Sequence, residues 1–223
     1  MLFGNNNSND NTNKNTDTIS NTTKITYTLD NIPEYFGEPY VEINNGVPSF
    51  TKEEFSTECF EHYSDLDDKG RCGVSYANLG KGTMPTENDK RTSLTEITPS
   101  GWQDDEEGIL NGKSLYNRCH LIAFSLSSEN KNKENLITGT NYFNISGMTS
   151  FESKVRNYLK ANVDNHVLYR VTPIFEGDNL LASGVHLEAQ SVEDNTIHYN
   201  VYIYNVQPGV KINYATGEFE VEQ

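Results

Sequence analysis

Four short stretches carry residue types suited to chemistry. They are Asn117-Arg118-Cys119-His120, the segment Asn135-Leu-Ile-Thr-Gly-Thr, Asn144 nine residues after Asn135, and Glu152 eight residues further on. Hydrolysis of a phosphate diester needs a base for water, a cation on the non-bridging oxygens and stabilisation of the leaving oxygen. Histidine suits the first role, because its unperturbed pKa of about 6.5 leaves it neutral near working pH. A neutral asparagine amide oxygen suits the second, since Mg²⁺ keeps most of its water and takes few protein ligands. Arg118 offers a planar fork for phosphate.

Each residue also has a purely structural reading. A histidine in an apolar strand is more often a hydrogen-bonded core residue than a catalyst. Thr149 stands three residues before Glu152, a spacing that fits a helix capping box. Asn135 suits a loop or turn, and Arg118 a surface ion pair. Cys119 beside His120 suggests a thiol nucleophile, but adjacent strand residues point to opposite faces and do not pair. His62, His166, His186 and His198 show no metal-ligand spacing and read as surface or sheet residues. Cys59, Cys72 and Cys119 are too few for a zinc or disulfide framework; one bridge with a free thiol and three reduced thiols both fit.

The elements that must position these residues follow from hydrophobic periodicity. Leu115 to Leu126 reads as a strand, followed by a polar loop. Phe151, Val155, Tyr158 and Leu159 fall on one face of a helix over 149–160 that ends before Asp164-Asn165. The period then changes to two, and His166 to Thr172, Gly184 to Ala189 and His198 to Val206 read as three antiparallel strands. Upstream, short extended pieces over 25–36 and 40–44 end at the Asn45-Gly46 turn signal. Lys52 to Cys59 is a short helix candidate, and Gly70 to Ala77 has glycines where backbone must bend. Strand, loop, helix and then a meander indicate an α+β fold around a central antiparallel sheet.

The chain of 223 residues suits one globular domain over 25–223, preceded by a polar tail over 1–24 that holds eight asparagines and reads as a disordered tether. The tail lacks the basic and apolar regions of a signal peptide. No apolar run is long enough to span a bilayer. A net charge of −15 excludes a protein that coats nucleic acid by positive field alone. Between Lys113 and Lys160, however, seven basic residues face three acidic ones, a local +4 that can meet a phosphate backbone.

Taken together, the motif and spacing resemble the DNA/RNA non-specific endonucleases of the ββα-metal superfamily, in particular the secreted and DNA-uptake nucleases of Gram-positive bacteria. That family carries Asp-Arg-Gly-His or variants such as Asn-Arg-Ser-His, then an asparagine segment, a second asparagine nine residues on, and a helix. The resemblance covers roughly residues 60–215. It implies an α+β domain with a ββα-metal motif and a few helices, His120 as general base and Asn144 as the Mg²⁺ ligand, with Mn²⁺ as a substitute. It further implies that Asn135 supports the His120 and phosphate geometry, that Glu152 orients water on the metal, and that Arg118 contacts phosphate or braces the motif. The implied activity is metal-dependent hydrolysis of DNA, and of RNA, to 5′-phosphate products, by a monomer secreted or tethered at the cell surface. Two departures stand out: Asn117 replaces the aspartate, and Cys119 replaces a smaller residue. The rival reading is a nuclease fold kept as a DNA-binding surface module without turnover.

Overall fold

The computed structural model describes residues 26–104 and 108–222, so the asparagine-rich tail expected over 1–24 lies outside the described residues. In chain order the described residues form strands β1 (Tyr40–Glu42), β2 (Phe60–Tyr63), β3 (Ser75–Leu79) and β4 (Tyr116–His120), and then helix α1 (Phe124–Ser127). Strand β5 (Leu136–Thr140) and helix α2 (Thr149–Ala161) follow. The chain continues through β6 (Val167–Ile174), β7 (Gly184–Ser191), β8 (His198–Tyr204), β9 (Val210–Ile212) and β10 (Phe219–Val221).

The three strands expected from the period-two pattern are present as β6, β7 and β8. They pair antiparallel as the centre of a six-stranded sheet in the order β1-β8-β7-β6-β3-β2. Their valines, isoleucines and tyrosines suit a pleated, well-covered surface. The Asn45-Gly46 signal also forms a turn, with Asn44, Asn45 and Gly46 all at positive φ. Strands β4 and β5 form a separate antiparallel hairpin, in which Cys119 opposes Ile137 and His120 opposes Leu136. With α2 this hairpin makes a ββα unit laid on one face of the large sheet.

The main core lies at that junction. Phe151, Val155, Tyr158 and Leu159, the four residues placed on one helix face by their spacing, are the buried residues of α2. They share a cluster with Tyr169, Leu187, Val201 and Ile203 of the sheet and with Cys119 and Ile137 of the hairpin. Full burial of such side chains contributes roughly 1.5–3 kcal/mol each. The helix therefore holds the hairpin and the sheet in one frame.

Two expected elements differ in the structure. The helix proposed over Lys52 to Cys59 is a single 3₁₀ turn, Lys52–Glu54, and the backbone becomes extended at Phe55. The amide of Asn78 donates to the carbonyls of Ser56 and Glu58, and this contact from β3 holds the following residues straight. The strand read over Leu115 to Leu126 stops at His120, and Phe124 to Leu126 turn into α1. Apolar side chains continue past that point because they enter the core, not because the ladder continues. All three cysteines are free thiols, Cys59 exposed and Cys72 and Cys119 buried.

Candidate active site

Alternation along β4 separates chemistry from packing. Cys119 is 1% exposed and belongs to the core, while Arg118 and His120 line a cleft of about 830 Å³. Gly139, across the hairpin, makes room for the thiol: a Cβ there would stand 2.6 Å from Cys119 Sγ and 2.7 Å from the Phe143 ring. Burial pushes the Cys119 thiol well above its usual range, which leaves no thiolate for nucleophilic chemistry.

His120 is held edge-on. Its Nε2 lies 3.0 Å from the Asn130 carbonyl oxygen. A carbonyl only accepts, so Nε2 carries the proton and Nδ1 keeps its lone pair. Burial is the main cause that lowers the imidazole pKa, and the Arg91 charge lowers it further against the opposing pull of the Asn130 carbonyl. These surroundings favour the neutral imidazole, with Nδ1 as its unprotonated nitrogen.

Asn135 acts on this arrangement from beneath. It is fully buried and does not line the cleft. Its Oδ1 accepts from the Ile122 amide at 2.8 Å, and its Nδ2 donates to the Ile122 carbonyl at 2.9 Å. The Leu121 amide donates to the Asn135 carbonyl at 2.9 Å. These three bonds hold the chain reversal that begins directly after His120.

Asn144 and Glu152 both line the cleft. Eight residues of regular α-helix at about 100° each would leave them roughly 80° apart around the axis. The chain instead runs as a π-helix from Phe143 to Met148 before α2 begins. Each residue of such a wide turn advances only about 80°, which brings Asn144 and Glu152 back to nearly one face. The bond that marks this geometry runs from the Thr149 amide to the Asn144 carbonyl, and the Thr149 hydroxyl adds a second bond there at 2.8 Å. The capping box expected from Thr149 and Glu152 is consequently absent, because Thr149 continues a helix already under way and gives its hydroxyl to Asn144.

Glu152 sits where water is scarce. Burial raises its carboxyl pKa to about 7, with Arg156 and Arg91 pulling the other way. Its charge is felt by the buried Cys119, Tyr169 and Tyr199. Around it the cleft is cationic: Arg91, Lys113, Arg118 and Arg156 line it along with this carboxylate. Arg118 is largely committed to the wall. It donates to the carbonyls of Ile97 and Thr95, and its guanidinium lies 3.9 Å from the centre of the Trp102 ring.

Arg91 escaped the sequence reading, and Arg156 entered it only as one charge of the basic stretch over 113–160. Arg156 had a usable signal, since it lies one helical turn after Glu152 and so shares its face. Arg91 had none, because it belongs to an irregular stretch without period. Asn117 also lines the cleft, and its buried Nδ2 finds no partner.

The donor chemistry fits a hard, hydrated cation. Among the described residues no group of three or more histidine, cysteine, aspartate or glutamate side chains is arranged to hold a metal. What the cleft offers is the Asn144 amide oxygen with a half-buried carboxylate on the same face. One neutral oxygen ligand and a nearby acid suit Mg²⁺ or Mn²⁺, which retain water, better than an ion needing a closed nitrogen and sulfur shell.

Comparison with known proteins agrees with this geometry. Residues 50–193 match the DNA/RNA non-specific endonuclease family. A deoxyribonuclease of Streptococcus dysgalactiae subsp. equisimilis is 36% identical over 107 residues, which is 46% of this chain and 32% of that relative. The match therefore spans about a third of that protein's length. The crystal structure of NucA from Streptococcus agalactiae with magnesium bound superposes with a TM-score of 0.74 at 25% identity, over 87% of this chain and 94% of that one. The Sda1 nuclease with bound zinc shares the fold, with a TM-score of 0.70 at 24% identity over 83% of this chain and 97% of that one. With the ββα unit, the oriented histidine and the family match in place, the chain belongs to the DNA/RNA non-specific endonucleases, a family of hydrolytic enzymes.

Proposed function

We propose that this protein hydrolyses phosphodiester bonds of DNA, and of RNA as well, to products with 5′-phosphate ends, with His120 as general base. The observation that carries this reading is the fixed imidazole: Nε2–H is given to the Asn130 carbonyl, which leaves Nδ1 unprotonated in a cleft shared with Asn144 and Glu152. Nδ1 takes the proton from water as it attacks phosphorus. Arg91 and Arg156 bind the phosphate and meet the charge that develops on it. Glu152 orients the attacking water, and Asn135 keeps His120 in place through the reversal at Ile122. Asn144 would hold the divalent cation. Bound there, Mg²⁺ or Mn²⁺ supplies positive charge to the phosphate and the leaving oxygen.

The setting we propose is outside the cell, free or tethered at its surface, with the chain acting as a monomer. Resemblance to secreted nucleases supports this, and no helix among the described residues is long and apolar enough to cross a membrane. The test is incubation of supercoiled plasmid and total RNA with the protein and Mg²⁺, with and without EDTA, followed by end-group analysis. Cleavage of both polymers that stops in EDTA and leaves 5′-phosphates is the expected result. Binding that persists in EDTA without any cleavage would instead identify a DNA-binding module.

A further inference from the structure

We infer that Asn130 is a positioning residue that sets Arg91 against His120; the inference rests on the nuclease reading above. Asn130 meets both groups with different atoms. Its main-chain oxygen receives the His120 Nε2 proton at 3.0 Å. Its side-chain Nδ2 donates to Thr92 Oγ1 at 2.7 Å and to the Thr92 carbonyl at 3.2 Å. Thr92 adjoins Arg91, whose guanidinium enters the cleft with its central carbon 5.8 Å from the centre of the Phe124 ring. One residue thus holds the base by its backbone and the cleft arginine's neighbour by its amide.

The surrounding chain gives this contact its weight. Residues 80–101 contain no strand or helix, so backbone ladders do not fix Arg91. Bonds from the rest of the molecule fix it instead. Arg118 holds the carbonyls of Thr95 and Ile97, and Lys131 pairs with Glu96 at 2.5 Å. Among the described residues, the two bonds from Asn130 are the side-chain bonds made to Thr92, the residue next to Arg91. The Asn130 amide turns its donor end to Thr92, as the Thr92 carbonyl requires, and its Oδ1 is buried.

The experiment is a double-mutant cycle on cleavage of a defined duplex oligonucleotide, with wild type, Asn130→Ala, Arg91→Ala and the double variant. Asn130→Asp is made in parallel, because it keeps the volume and removes the donor. Asn130→Ala should lower kcat/KM by about 10- to 100-fold, the scale of a misplaced catalytic group, without moving the unfolding midpoint. In the Arg91→Ala background the same substitution should change the rate by less than about 2-fold, because nothing remains for it to position. Lys131→Ala, which cuts the tether at Glu96, should cost far less than Asn130→Ala. Independent losses that multiply in the double variant, or equal losses from Lys131→Ala and Asn130→Ala, overturn the inference while leaving the nuclease reading intact. A wild-type protein without turnover in Mg²⁺ or Mn²⁺ overturns the nuclease reading and this inference with it.

Discussion

The His120 imidazole and the Asn130 carbonyl stand 3.0 Å apart, and that bond decides which ring nitrogen can act as a base. Turnover should rise with pH as His120 loses its proton. The midpoint should lie below the usual histidine value of about 6.5, since burial and the Arg91 charge both disfavour the imidazolium. His120→Gly should lose roughly 10²- to 10⁴-fold in rate and regain part of it with added imidazole. Rates of wild type and variant across pH, with and without imidazole, check this; a folded variant cutting at the wild-type rate would remove His120 as base.

Asn144 supplies the neutral oxygen proposed to hold the cation, so its loss should act through metal demand. Asn144→Ala should cut activity on the order of 10²-fold at ordinary Mg²⁺ and shift the Mg²⁺ titration to higher concentration. Thermal unfolding in EDTA should hardly change, because the side chain lines open cleft. Activity equal to wild type at every Mg²⁺ concentration would place the cation elsewhere.

Glu152 should link stability to activity in opposite directions. Its folded pKa of about 7 lies above the ordinary value of 4.5, so the fold prefers the protonated acid. Stability is then greatest in acid and falls as pH rises from about 4.5 to about 7. Glu152→Gln should therefore stabilise the metal-free protein by roughly 2 kcal/mol at pH 8, and by little at pH 4, after allowance for partial solvent access. The same variant should lose turnover. Denaturant unfolding in EDTA at the two pH values, with kinetics alongside, tests both halves, and unchanged turnover would leave Glu152 out of the chemistry.

Asn135 should behave as a scaffold residue. Asn135→Ala leaves the Ile122 amide and carbonyl buried without partners, at a cost of about 2–4 kcal/mol for the two groups. Denaturation midpoints should fall accordingly, and activity should fall through displacement of His120. A variant of full stability that is nonetheless dead would overturn the scaffold role of Asn135.

How much of this was legible in the sequence depends on where the determining contact lies. The α2 face and strands β6 to β8 were readable because their burial repeats at the local period. His120, Asn144 and Glu152 were readable as a spaced motif, and all three line one cleft. The end of β4 was not, because Asn135 sets it from thirteen residues away. The extended backbone after Glu54 was hidden for the same reason, being set by Asn78. Thr149 misled because a capping spacing looks the same whether the helix starts there or continues from a wider turn. Arg91 reaches the cleft from a segment whose pose depends on side chains of Asn130, Lys131 and Arg118, and no local pattern encodes that.

The wide turn over Phe143–Met148 makes this cleft sensitive to the count of residues as well as to their identity. Removing one residue between Asn144 and Thr149 would let the backbone relax to ordinary α-helix, with tighter bonding and no change to any cleft side chain. Seven helical steps of about 100° would still leave Asn144 within roughly 20° of Glu152, so the two would keep one face. The extra residue of the wide turn is thus spare for the alignment of Asn144 with Glu152, and a second deletion, which leaves six steps of about 100°, is the one that would turn them roughly 120° apart.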